Sequence, residues 1–210
     1  MTQRCVLFDM DGTLYESAID FLVIRNGLGL PKDGRPILDQ LQEETPEVRA
    51  RGIELLHAAE ADGAANGKLI SGARELIIWL HEQNIRCGLV TNNSRLSVGA
   101  ILAVHPLAFD VIVTRDDAAT KPRPDLFLLA LERLHIRASD AVAVGDTHLD
   151  AIAAHRAGIH EIHLISLRAG MADFIPPDVE YVAADNLTQV RMRIAKWLER
   201  SDSQNETTFL

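Results

Sequence analysis

Cysteine is scarce in this chain of 210 residues. Cys5 and Cys87 are the only two, and neither stands in a C-x-x-C or other metal-type spacing, which argues against a thiolate metal site. Each lies four residues before a residue given a chemical part below, Asp9 and Thr91, so on neighbouring strands the thiols would share one level of a sheet. Reduced cysteines packed as small hydrophobes are the expectation. Long apolar runs are missing too. No segment approaches the length that spans a bilayer, and "MTQRCVLFDM" holds a run too short for a signal peptide, so the expected location is the cytoplasm. Positive charge is in deficit: 21 Lys and Arg against 30 Asp and Glu give a formal net charge of -9. Without a basic block, nucleic acid and anionic membranes are disfavoured as partners. A small soluble substrate fits better. Internal repeats and low-complexity tracts are also absent.

What is present is ordinary globular composition, 47% hydrophobic and 24% charged with 13 glycines and 8 prolines, enough for one core domain and a modest insert. The run Cys5-Val6-Leu7-Phe8 reads as a buried strand closed by Gly12. From about Ser17 to about Ser71 the spacing is helical, with Ile37, Leu38 and Leu41 on a short helix and Val48, Gly52, Leu55, Leu56 and Ala59 on a longer one. No strand is expected within this stretch, and it exceeds what a plain crossover needs. From Gly72 helix and strand alternate, with strands at "RCGLV", "DVIV", "AVAVG" and "EIHLI", a pattern for a parallel sheet covered on both faces. Asn186 caps a last helix with the stripe Leu187, Val190, Ile194, Trp197 and Leu198. The predicted fold is α/β, a Rossmann-like core over residues 1–17 and 71–200 with a small α-helical cap over 18–70 inserted after the first strand. Residues 201–210 are polar enough to be a disordered tail.

The carboxyl ends of parallel strands share one edge, where ligands bind in open α/β sheets. Four segments converge there: "DMDGT" with Asp9 and Asp11, "VTNNS" with Thr91 and Asn92, "KPRPD" with Lys121, and "GDTHLD" with Asp146 and Asp150. Carboxylates facing a phosphoryl group repel it, by ~4 kcal/mol at about 4 Å and an effective dielectric of about 20. Cations must offset this. Lys121 supplies one charge, and Asp9 with Asp146, and Asp150 as a further candidate, suits a hard divalent ion with oxygen ligands, Mg²⁺. Asp9 can then attack phosphorus, Asp11 can serve as acid and then base, and Thr91 with the amides opening the next helix can bind phosphate oxygens.

These four motifs, in this order on successive strands, resemble the haloacid dehalogenase-like hydrolase superfamily, in particular its helical-cap phosphatases and among them the phosphoglycolate phosphatase group. The resemblance covers Arg4 to about Ile165. It implies Asp9 as nucleophile, Asp11 as acid and base, Thr91, Asn92 and Lys121 at the substrate phosphate, and Mg²⁺ held by Asp9, Asp146 and the Asp11 carbonyl, with Asp150 supporting the ion from behind. Family members often carry Asp-Ser where this chain has Glu16-Ser17, and Ser in place of Thr147.

The expected activity is therefore a Mg²⁺-dependent phosphatase acting on a small phosphorylated metabolite, either phosphoglycolate-like or a sugar phosphate. The alternatives are a sugar phosphomutase using the same aspartyl phosphate and a phosphate-sensing module without turnover. A monomer or homodimer is expected. For a carboxylated substrate the candidate cap cations are Arg25, Lys32, Arg35, Arg49, Arg51 and Lys68. His148 is expected at the surface, Trp79 and Trp197 in core or docking stripes, and His160 and His163 on opposite sides of their strand.

Overall fold

The first strand, β1 (Cys5–Phe8), is fully buried because helices cover both faces of the sheet to which it belongs. The computed structural model describes residues 3–17, 19–167 and 170–206, with side chains to residue 200. A six-stranded sheet contains β1, β4 (Arg86–Val90), β5 (Val111–Val113), β6 (Ala141–Gly145), β7 (Glu161–Ile165) and β8 (Val182–Ala184). The remaining elements are the short strands β2 (Tyr15–Glu16) and β3 (Lys68–Leu69) and the helices α1 (Phe21–Leu28), α2 (Ile37–Gln42), α3 (Pro46–Asn66), α4 (Ala73–Glu82), α5 (Arg95–Val104), α6 (Asp125–Leu134), α7 (His148–Arg156) and α8 (Leu187–Glu206).

The sheet order is β5-β4-β1-β6-β7-β8, every pairing parallel. Successive connections move outward from β1 to β5, then return across it to β6. The direction of winding thus reverses beside β1, and such a reversal opens a crevice at the strands' carboxyl ends. Alternation along β1 divides the core. Val6 and Phe8 pack with residues of α4, α5 and α8, whereas Cys5 and Leu7 pack with α6 and α7. Leu187, Val190, Ile194 and Trp197 are buried as a docking stripe, behind Asn186, whose Oδ1 accepts from Gln189 N at 3.0 Å.

Between β2 and β3, helices α1 to α3 enclose a small apolar cluster of Ile24, Leu30, Ile37, Leu41 and Leu56. Local chemistry sets their ends. Asp20 Oδ1 accepts from Leu22 N and Val23 N at 2.9 and 3.2 Å, Gly29 closes α1 at φ +69°, and Thr45 followed by Pro46 opens α3. A Cβ on Gly52 would come within 2.4 Å of Leu41, so the glycine is what lets α2 close on α3.

Three expectations change. The thiols do not share a level: Cys5 pairs with Arg86 and Cys87 with Val6, a one-residue offset that sends them to opposite faces. The buried face of α3 carries Gly52, Leu56, Glu60, Gly63 and Ala64, while Leu55 is 38% exposed. The helical stretch is also bounded by strands, since β2 and β3 pair antiparallel as a two-stranded ribbon. The edge strand β8 escaped prediction because it is three residues long and mostly exposed. The expected tail from 201 falls partly on the end of α8, and residues 207–210 lie outside the described residues. His160 is exposed while His163 is buried in β7.

Both thiols are buried, and burial pushes them up, Cys5 to about 12. In the native protein neither should react with an aromatic disulfide reagent at pH 8, and two equivalents should appear only on unfolding. Rapid native labelling at either position would contradict this packing.

Candidate active site

Asp9 leaves β1 still tied to the sheet, its N–H donating to Val144 O at 2.9 Å. The chain then turns sharply, with Met10 O accepting from Leu14 N and Tyr15 N at 2.9 Å and Gly12 at φ +80°. Only glycine fits at position 12: a Cβ would lie 2.1 Å from Asp146 Oδ2. That contact brings the loop after β1 against the acid that follows β6. Thr91 is 2% exposed at the end of β4, and its Oγ1 accepts from Asn93 N at 3.2 Å.

Lys121 crosses beneath this edge with 2% of its surface exposed. Its ammonium donates to Asp9 Oδ1 at 2.6 Å, Asp150 Oδ1 at 2.5 Å and Val90 O at 3.0 Å, which uses all three protons. Asp150 is doubly committed, because its Oδ2 accepts from Thr147 Oγ1 at 2.6 Å and Thr147 N at 3.1 Å in a capping box that opens α7. The four motifs predicted to converge do so, with carboxylate oxygens of Asp9, Asp146 and Asp150 within 4.8 Å of one another.

Charge in this cluster is unbalanced. Among the described residues, Asp9, Asp11 and Asp150 share one ammonium, that of Lys121. Burial pushes the Asp9 carboxyl above its ordinary range; Lys121 opposes the shift and Asp150 and Asp11 add to it. Burial likewise raises Asp11, against hydrogen bonds from Ser17 and Asn93. Burial also disfavours the charged forms of Lys121 and Asp150, but their mutual attraction outweighs it, raising the amine and lowering the acid. An all-oxygen donor set with surplus negative charge fits a hard divalent cation. Asp9 and Asp146 would hold it, since Asp150 already has both oxygens engaged by Lys121 and Thr147.

Asn92, expected at the substrate, has its side chain occupied elsewhere: Oδ1 accepts from Lys121 N at 2.9 Å and Nδ2 donates to Lys121 O at 3.1 Å. The amide clamps the loop that delivers the lysine. His148 is not at the surface but 6% exposed, its Nε2 2.8 Å from Gly34 O and its ring 5.1 Å from that of Phe174. Its place at the start of α7, under the loop before α2, accounts for the burial.

Sequence reasoning missed three further groups. Asn93 donates its amide to Asp11 Oδ2. Glu60, 5% exposed on α3, accepts from both terminal nitrogens of Arg115 and from Ser94 Oγ at 2.8 Å, and Arg115 also reaches Asn92 O at 3.2 Å. This ion pair fastens the helical insert to the loop that follows β5, and Ser94 and Asn92 tie both partners to the loop that follows β4. An acid in line with Leu56 and Ala64 on an apolar stripe was the available signal. Asp117 is the third: its carboxylate accepts from Thr114 N and Oγ1 at 2.8 and 2.9 Å and from Arg95 and Arg133. It shapes the turn leading to Lys121.

Residues 3–158 match the family model described as haloacid dehalogenase-like hydrolase. The chain belongs to this family. It is 32% identical over 181 residues to a phosphoglycolate phosphatase of Cupriavidus necator, covering 73% of this chain and 77% of the other. Against an N-acetylmuramic acid 6-phosphate phosphatase of Pseudomonas putida the identity is 28% over 181 residues, 75% of this chain and 81% of the other. Across the curated relatives compared, the chain spans 65% to 83% of their length. A crystal structure described as a "predicted phosphatase from Clostridium acetobutylicum" superposes with a TM-score of 0.73 at 22% identity, over 93% of this chain and 100% of that one, and shares the fold. This family member is a phosphoric monoester hydrolase.

Glu60→Ala would strand a largely buried guanidinium, so urea denaturation should show a loss of about 3–5 kcal/mol, and adding Arg115→Ala should cost less than the sum of the two single changes. A loss below about 1 kcal/mol would show the pair to be inert. At Asp117, burial works against the carboxylate, but the Thr114 N–H and hydroxyl with Arg133 and Arg95 bring it down to about 2. A lowered acid stabilises the fold above its unfolded value near ~3.9 and loses that contribution as pH falls toward about 2. Asp117→Asn should therefore flatten the fall in melting temperature between pH 4 and 2, measured against the parent chain.

Proposed function

We propose that this phosphatase is Mg²⁺-dependent, acts in the cytoplasm and hydrolyses a small phosphorylated metabolite through an aspartyl phosphate on Asp9. One observation carries the reading: oxygens of three buried carboxylates, Asp9, Asp146 and Asp150, lie within 4.8 Å of one another at the reversal point of the sheet, with the ammonium of Lys121 bonded to two of them. Bound there by Asp9, Asp146 and the Asp11 carbonyl, Mg²⁺ supplies the positive charge that lets an anionic nucleophile and an anionic phosphoryl group approach. Asp9 is 7% exposed, which suits a small ester rather than a site on a macromolecule.

The residues then divide the work. Lys121 fixes Asp9 through Oδ1, so the carboxylate meets phosphorus in one orientation. An Asp9 oxygen forms the new bond to phosphorus as the bond to the ester oxygen breaks, and that oxygen takes the proton of Asp11. Asp11 next removes a proton from water, whose oxygen attacks phosphorus and returns Asp9 as carboxylate with inorganic phosphate released. Asn93 holds Asp11 Oδ2 throughout, leaving Oδ1, which has no hydrogen-bond partner among the described residues, to handle the proton. Thr91 and the start of α5, capped by Ser94, offer hydroxyl and amide donors to the phosphoryl oxygens.

Asp9→Asn should lower turnover of p-nitrophenyl phosphate on the order of 10³-fold or more with an unchanged circular dichroism spectrum. Parent-like activity of that variant in saturating Mg²⁺ would end the mechanism. A metal-fluoride adduct resolved anywhere but on Asp9 would do the same.

A further inference from the structure

Among the described residues, the cations at the seam beside the site face acids of their own, and the site also supplies a buried acceptor. Of the six basic residues that a carboxylated substrate would need from the insert, four are spent on the insert itself or its hinge. Arg25 bonds Pro31 O and Gln40, Arg35 bonds Asp33 and Glu43, Arg49 bonds Leu41 O and Gln42 O, and Lys68 lies 3.1 Å from Glu16. The other two, Lys32 and Arg51, are exposed.

Arg115 is the remaining arginine at the seam between insert and core beside the loop that follows β4, and Glu60 already neutralises it through both terminal nitrogens. A substrate carboxylate that displaced Glu60 would leave a second buried anion without a partner, which costs more than the exchange returns. Across the same seam Arg123 faces Asp39 at 4.0 Å and is half exposed.

His148 points the other way. It sits two residues after Asp146, at the carboxyl edge where the insert meets the core. Its Nε2 faces the carbonyl of Gly34; a carbonyl only accepts, so Nε2 carries the hydrogen and Nδ1 of the neutral ring is an acceptor. That Nδ1 is buried without a partner among the described residues. Buried acceptors are almost always satisfied, so this one calls for a donor, and a substrate hydroxyl is a neutral group that can supply it.

We propose that the leaving group is an uncharged, hydroxyl-bearing one, a polyol or sugar phosphate rather than a phosphorylated carboxylic acid, and that His148 is the residue that selects it. The inference rests on the phosphatase reading above. A site built to bond a substrate hydroxyl discriminates strongly against the analogue without one, because its own polar group is then left unpaired.

The test is kcat/KM for the full chain with Mg²⁺ on glycerol 1-phosphate and glucose 6-phosphate, against phosphoglycolate and 3-phosphoglycerate, with p-nitrophenyl phosphate as reference. At least one hydroxylated neutral ester should exceed both carboxylated esters ten-fold or more. Equal or better turnover of either carboxylated ester overturns the inference while the phosphatase reading stands; release from none of the five overturns both. His148→Leu should lower kcat/KM for the preferred ester at least ten-fold further than for p-nitrophenyl phosphate, and an unchanged ratio would remove His148 from selection. If that variant does not fold, Gly34→Ala, whose Cβ would lie 3.2 Å from Nε2, must shift the same ratio. Lys32→Glu and Arg51→Glu should leave phosphoglycolate turnover where it was, and a ten-fold fall in either would restore a cation to the substrate site.

Discussion

One buried ammonium holds the carboxyl edge of the sheet together. Lys121 spends its three protons on Asp9, Asp150 and the carbonyl of Val90, and so joins the ends of β1 and β4 to the start of α7. Each partner is itself anchored. Asp150 is fixed by the Thr147 cap, Asp9 by its N–H to Val144, and the lysine backbone by the side chain of Asn92. Removing the amine would leave two carboxylates buried side by side, a state of high cost in a region of low dielectric. The four motifs are thus one interlocked unit and not four ligands that happen to meet.

This interlocking explains which parts of the molecule were legible in the sequence. Strands β1, β4, β6 and β7 are buried on both faces, so each reads as a continuous apolar run, and the residues just beyond them are conspicuous because polarity starts abruptly there. Asp9, Thr91 and Asp146 could be located from that contrast alone. The edge strand β8 has no such contrast, since two of its three residues are exposed. The ribbon of β2 and β3 is two residues long on each side, shorter than any periodicity can register.

Partner choice was less legible than position. Asn92 and Asn93 stand side by side in "VTNNS", yet one clamps the lysine backbone and the other holds Asp11; nothing local separates them, because the difference lies in which neighbouring strand each faces. His148 has the composition of a surface residue on a short helix and is buried only because a loop some 114 positions earlier in the chain closes over it. Glu60 reads as a solvated acid until its alignment with Leu56 and Ala64 is noticed, and its guanidinium partner lies 55 residues on. Long-range polar pairing follows from tertiary docking, which one-dimensional pattern does not carry.

The acid on α3 also fixes how the insert relates to the chemistry. A lid held only by apolar contacts would tolerate many leaving groups, because such contacts are nondirectional. Here the insert meets the core through directional groups on both flanks of the site, Glu60 with Arg115 and Ser94 on the side of α5, and Gly34 with His148 on the side of α7. Both flanks act on residues adjoining or within the four converging motifs: Ser94 follows Asn93, and His148 follows Thr147. Docking the insert therefore sets the same short loops that carry Asp11's partner and the Asp150 cap. Under the proposed function, a cation held among these acids would relieve the repulsion that burial and mutual proximity impose on them, which otherwise raises the Asp9 and Asp11 carboxyl groups. Activity and local stability would then be coupled through one occupancy, because a ligand that binds only the folded site stabilises it.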